Sequence, residues 1–399
     1  MNPLGPRPWP VTMGATAAVV AAALATALSV LLGLTQQEIA NASSAARQAT
    51  LFSDVYTDSS AMDADLTQIM LLDDAPALAA QRAEAVAGYR SDSNAVDADL
   101  ASLSGDRVST RDTRQDLTAY RARATTAEAA PTRAAGLSAY DDATALAHRK
   151  LLPAARSAAG NRAAGMDNAV RHERVLSVFG TVVAILLGLT LLALAGLVLL
   201  ISRRLWGRRI GRPLVVCVLV TLAVAGASVT IFHLGDARAR AGRDDVTGFL
   251  ALDRAAGGAY DVAADPARYL ITGRDHEWSK DAADEEPQVQ RSVAGVTRIE
   301  WYAYGNTLTG LFAGIDQGRI AAADVSLYNA GGSAADGFSA FRGSLLASEL
   351  PVISAGGQRL STARSLYLVW YVIPVATMLV VLFLAGQAVR RRSGTPSIR

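Results

Sequence analysis

A single cysteine, Cys217, stands in 399 residues, and it falls inside an uncharged apolar run. Disulfides cannot hold the polar parts of the chain together, so helix packing must. Lysine is nearly missing, with Lys150 and Lys280 the only two, and positive charge rests on arginine. No HExxH, CxxC, GxSxG, Walker A or GxGxxG pattern occurs, and His148, His172, His233 and His276 are scattered over separate segments. These absences point to a protein that is not an enzyme and that has no catalytic residues, no metal ligands and no cofactor.

Charge is also missing from four long stretches, 11–34, 175–201, 214–234 and 366–389, none of which contains Asp, Glu, Lys or Arg. About 20 mainly apolar residues cross the roughly 30 Å hydrocarbon core of a bilayer, so each qualifies as a transmembrane helix. The first outlasts a signal-peptide core of about 7–15 residues, continuing through Leu31, Leu32 and Leu34, and reads as an uncleaved anchor. An Arg-rich loop at 202–213 (Arg203, Arg204, Arg208, Arg209, Arg212), the tail at 390–399 (Arg390, Arg391, Arg392, Arg399) and Arg7 in 1–10 place these segments in the cytoplasm. The expectation is a multi-pass cell-membrane protein with both termini cytoplasmic. Of 38 Lys and Arg these ten leave 28 against all 36 acidic residues in 35–174 and 235–365, a net of −8 outside. The basic loops flank membrane spans, which excludes nucleic acid as a partner and leaves membrane lipid. The three cytoplasmic segments are too short for a kinase or cyclase domain.

Each half reads as span, extracytoplasmic segment, span, with the same orientation, as in a parallel tandem duplication. In 35–174 spacings of three and four recur at Phe52, Val55, Ser59, Met62, Leu66, Ile69 and at Val86, Tyr89, Ser93, Val96, Leu100, Leu103. They recur again at Leu117, Tyr120, Ala124, Ala127 and at Leu137, Tyr140, Thr144, Ala147, Leu151, Ala154. Four such segments with short turns make a four-helix bundle that starts and ends at one pole, and 36–174 is expected to fold alone as a helical monomer. Pro153 should kink its last helix. In 235–365 Trp301, Tyr304, Leu308, Leu311, Ile315 and Phe338, Phe341, Leu345 keep the spacing. Asp265 and Pro266 suit either a fresh helix start or a kinked continuation ending near Gly273. The fold class is therefore all-α, with four transmembrane helices and two extracytoplasmic helical-bundle domains.

Gly180, Ala184 and Gly188 allow close helix approach, either inside the molecule or in a homodimer. Tyr367, Trp370 and Tyr371 suit interfacial anchoring. The segment Arg268, Tyr269, Arg274, Asp275, His276, Trp278 mixes guanidinium, aromatic and carboxylate groups as a site for an amino acid or anion would, with a solvated helix end as the plainer alternative. Arg268, Tyr269, Arg274 and Trp278 are its candidate ligand-binding residues. The five loop arginines and Arg390–Arg392 are candidate cytoplasmic docking residues.

Several stretches resemble a family of actinobacterial four-span membrane proteins of the GlnX type. They are Tyr140 with Leu151, Leu152, Pro153, Ala154, Ala155; Ala264, Asp265 with Tyr269, Leu270; Trp301 to Tyr304; Phe338 with Phe341; and Arg212 to Leu214. At Pro266 similar proteins tend to carry an acidic residue within a continuous helix. The Ala- and Arg-rich composition fits a high-GC genome. The resemblance implies a sensor or signal-relay protein that couples an extracytoplasmic solute-binding lipoprotein, or an amino acid, to a cytosolic Ser/Thr kinase. A non-signalling envelope scaffold or transporter-accessory subunit would show the same spans and bundles.

Overall fold

The structure is a computed structural model and describes residues 9–73, 76–103, 107–206, 212–273, 275–319 and 332–393. Among these residues it is all helical, without a strand. In chain order the helices are α1 (Trp9–Leu72), α2 (Ala79–Ser102), α3 (Arg107–Glu128), α4 (Arg133–Leu146), α5 (Leu152–Trp206), α6 (Arg212–Ile271), α7 (His276–Ser292), α8 (Gly295–Asp316) and α9 (Ser333–Ser393). Four are very long because an apolar run passes into, or follows, a heptad-like stripe with no break between them.

The chain divides into two compact units, each drawing on both halves of the sequence. One comprises Met1–Ser43, Met166–Arg243 and Gln358–Arg399, and contains the apolar runs. The other, Ser44–Gly165 with Asp244–Gly357, contains most of the two expected extracytoplasmic segments. The helices α1, α5, α6 and α9 contribute residues to both units.

In the polar unit the expected stripes are buried for the most part, with Val86, Tyr89, Ser93, Leu137 and Phe338 only half-buried. Phe52, Val55, Met62, Leu66, Val96, Leu100, Leu117, Tyr120, Tyr140 and Leu151 belong to one core. That core also takes in Ala267 and Ile271 of α6. The segment 36–174 is thus not a closed body by itself, because part of its apolar surface is covered by the second half. A second core gathers Trp301, Tyr304, Leu308, Ile315, Phe341 and Leu345 around Ala259 and Val262.

Two prolines shape the site. Pro153 has no N–H, and just before it the helix widens into one π turn, Ala147–Leu151, in which Leu152 N–H bonds the carbonyl of Ala147. The extra residue shifts the buried register: Ala155 is fully buried in place of the expected Ala154. Pro266 lies inside α6, which continues through it to Ile271. Of the two readings of Asp265–Pro266, the continuation is what forms.

In the other unit Gly180 faces Phe232, whose ring would collide with any added Cβ, and Gly188 lies beside Ala225. The small-residue stripe on α5 therefore packs against α6 of the same chain. Tyr367 is fully buried and donates to Glu173 Oε1 at 2.6 Å, so it serves the packing of this unit rather than an outer surface. All four apolar runs are helical in backbone. Within the described residues one helical stretch, Arg133–Thr190, contains a segment long and apolar enough to cross a membrane by length and composition, with a mean hydropathy of 1.7.

Candidate functional site

The most concentrated chemistry lies in the polar unit, where α1, α4, the π turn, α6 and α7 meet around one guanidinium. Arg268 is 0% exposed. Its Nη2 donates to Asp63 Oδ2 at 2.7 Å and to Asp261 Oδ1 at 2.9 Å, and its Nη1 donates to Asp265 Oδ1 at 2.7 Å. Nη1 also reaches the carbonyl of Asp261 at 3.1 Å, one residue before the helical carbonyl that Pro266 leaves without its N–H donor. Asp63 comes from a position 205 residues away, so the pair joins the two halves of the chain. On the far side of Asp63, Thr144 and Tyr120 hydroxyls approach Oδ1 at 3.3 and 3.4 Å, and Tyr140 and Thr67 hydroxyls bond each other at 3.0 Å.

The π turn supplies His148. Its Nε2 lies 3.3 Å from both Asp63 Oδ2 and Asp261 Oδ1. Trp278 of α7 covers the cluster, with its ring 5.1 Å from the guanidinium carbon and edge-on to His148 at 5.7 Å. A cation over an indole face gains electrostatic stabilisation that grows when water is excluded.

Three carboxyl groups thus face one guanidinium and one imidazole. Burial pushes the Asp63 carboxyl up, but Arg268 and then His148 outweigh it and hold it at about 2. For Asp265 burial wins over Arg268, the neighbouring Asp261 adds to it, and the group is held up at about 8. Burial favours the neutral form of His148, yet Asp261 and Asp63 raise it to about 8. Arg268 is likewise opposed by burial and held charged by Asp261, Asp63 and Asp265. Burial thus disfavours the charged form of Asp265, while Arg268 and His148 favour that of Asp63.

Asp63, His148 and Asp261 offer ligand atoms within 4.8 Å of one another, a spacing that could hold a metal ion. The same two oxygens, however, already bind Arg268 Nη2 at 2.7 and 2.9 Å. A metal bound to both would lie against a buried guanidinium, so the side chain itself fills the cation's role.

Of the residues singled out in the sequence, Arg268 and Trp278 come together here. Tyr269 does not: it is buried on another face, where its hydroxyl donates to Asp316 Oδ1 at 2.7 Å and its ring packs on Phe312 and His276. Arg274 lies outside the described residues. The plain alternative of a solvated helix end fails at Arg268 but holds for exposed Asp275, which caps α7 by accepting from Glu277 N–H. Among the cytoplasmic candidates, Arg203 and Arg204 lie on α5, Arg212 opens α6 and Arg390–Arg392 lie on α9, while Arg208 and Arg209 are outside the described residues. Asp63, Asp261 and His148 were not singled out as site residues, and Asp265 was named only at the possible helix start and in the family resemblance.

Comparison with protein families, with curated proteins and with solved structures finds no match to this chain.

Proposed function

We propose that this chain is an integral membrane signal-relay protein, with four spans, both termini in the cytoplasm, and the polar unit outside. The observation that carries the reading is the Asp63–Arg268 pair. It is fully buried and joins α1 to α6, and both helices continue into uncharged apolar runs. A passive tether has no need of a buried charge cluster, since apolar packing of the same volume is often at least as stable. A cluster whose members exchange protons or partners, by contrast, gives a helix assembly two arrangements to choose between.

The membrane reading is supported by the large apolar side chains that α5 exposes, among them Val175, Val178, Phe179, Val182, Ile185, Leu186 and Leu189. The distribution of arginine supplies the orientation. The resemblance to GlnX-type proteins suggests the partners: a solute-binding lipoprotein or an amino acid outside, and a cytosolic Ser/Thr kinase inside. The chain would act by helix displacement, read through the Arg203–Arg212 loop and the Arg390–Arg392 tail.

Capture of the chain from crosslinked membranes tests the partners directly. Co-purification of a binding lipoprotein and a cytosolic kinase is expected, and recovery of envelope structural proteins alone would favour the scaffold. Reporters active only outside the cytoplasm, fused at residues 8 and 395, should be silent.

A further inference from the structure

Outside the four apolar runs most large apolar side chains are buried or half-buried. Among the described residues the exceptions are Val296, Ile299 and Tyr302 of α8 and Leu346 and Leu350 of α9. The three on α8 are 65%, 69% and 59% exposed. All five lie in the polar unit, on two helices that pack together through Trp301 and Phe341, whose ring centroids are 4.8 Å apart.

The helix α8 is striped on two sides. Its inward face, Trp301, Tyr304, Leu308, Leu311 and Ile315, fills the second core. Its outward face repeats the spacing of three and four through Val296, Ile299, Ala303, Asn306, Gly310 and Ala313, all exposed and none charged. A helix face turned to water is ordinarily polar, and this one is apolar or small everywhere but at Asn306. Gly310 is an independent sign. It lies inside the helix, where glycine costs about 1 kcal/mol against alanine, and an added Cβ would meet nothing within 4 Å. Nothing within one chain asks for glycine there, whereas another backbone approaching this face closely would.

We infer that the outward face of α8 is a seam on which a second copy of the chain packs, α8 against α8 in parallel register. A stripe with this alternating spacing is complementary to itself, the side chains of one helix entering the gaps of its like. Charge favours a second copy as the occupant. The polar unit is rich in carboxyls, so two copies repel each other over much of its surface and can meet only where charge is missing. Of the positions that flank the seam, 295, 300, 302, 307, 309 and 314, only Glu300 is charged. A basic or an acidic partner would find nothing on the stripe itself to pair with. Asn306 sets the direction. In parallel register it faces its counterpart and the two amides hydrogen-bond, whereas an antiparallel pairing centred on the stripe would set it against Ala303 and leave the amide unpartnered. In the parallel pair a two-fold axis brings every seam residue onto its own counterpart.

The test uses the full chain with Cys217→Ala in phosphatidylcholine liposomes at low protein density, carrying one added cysteine at a time and oxidised with copper phenanthroline. Ala303→Cys and Ala313→Cys should each give a disulfide-linked dimer, at least about tenfold above Thr126→Cys at an exposed position of α3. Adding Ile299→Glu to Ala303→Cys should lower that yield by about tenfold or more, because the seam would then bury unpaired like charges. Ile299 is exposed in the single chain, so the change should leave circular dichroism and Tm as they were. Crosslinking at only one of the two positions, at neither, or undiminished by Ile299→Glu would overturn the parallel seam. Crosslinking of the same cysteines in native membranes to other proteins, with no dimer formed, would overturn it as well and give the face to a different partner.

Discussion

Arg268 and Asp265 are three residues apart and bonded to each other, yet their replacements should differ sharply. Arg268→Met removes the guanidinium from three buried carboxyl groups, and breaking a buried pair from one side costs about 3–5 kcal/mol. Asp265→Asn replaces a carboxyl whose charged form burial already disfavours by an isosteric neutral group, and should cost about 1 kcal/mol or less. Thermal unfolding in detergent measures both, and similar losses from the two variants would contradict the charge assignment. Some of this was legible in the sequence. Arg268 and Trp278 stood out as members of a segment that mixes guanidinium, aromatic and carboxylate groups. Asp63 directly follows buried Met62 in the α1 stripe, so a carboxyl on that side of the helix was a readable signal. His148 was not readable, because only the π turn, not an α-helical register, points it at Asp63.

At the scale of the elements, the heptad spacing located the buried faces of α1, α3 and α8 almost residue by residue, since long periodic helices follow their apolar pattern wherever they pack. It failed at the two prolines, where the number of residues per turn changes or a carbonyl must find another donor. Nor could it tell which helix covers which. The approach of α6 to α1 rests on Gly257, where an added Cβ would run into the Tyr56 ring. Tyr56 is itself held by the Arg156 guanidinium, which bonds its hydroxyl and stacks 4.7 Å from its ring. Gly257→Ala should therefore cost about 1–3 kcal/mol by overpacking, with the helices forced apart. An unchanged Tm for this variant would show that α1 and α6 are not in close contact there.

For the whole molecule, a net charge of +2 conceals a polar unit crowded with carboxyls that burial raises. Asp54 and Asp65 are raised to about 8, Asp58, Glu285 and Glu349 to about 7, and Asp253 to about 6. A group raised in the folded state contributes stability below its unfolded pKa and loses it as pH rises through the folded value. His148, raised to about 8, has the same sign, while Asp63, lowered to about 2, matters only in strong acid. The Tm of the full chain should therefore be several degrees higher at pH 5.5 than at pH 8.5, and the opposite slope would contradict the burial of these groups. The sequence showed two acidic segments but not their union, because the Asp63–Arg268 pair and the core shared with Ala267 and Ile271 join positions some 200 residues apart.

The central proposal, that the chain relays a change rather than merely standing in the membrane, is tested most directly at the helix ends proposed to face the cytoplasm. Cys217→Ala removes the one native thiol, and spin labels at positions 206 and 393 then report the distance between the ends of α5 and α9 in nanodiscs. His148→Gln perturbs the Arg268 cluster while leaving the guanidinium paired, and circular dichroism verifies that the helices persist. A relay predicts a shift on the order of 1–2 Å, or a change in the population of two distances, as in other helix-sliding transitions. Distance distributions superimposable with those of the parent, in wild-type-like helical protein, would contradict the relay and leave a passive scaffold.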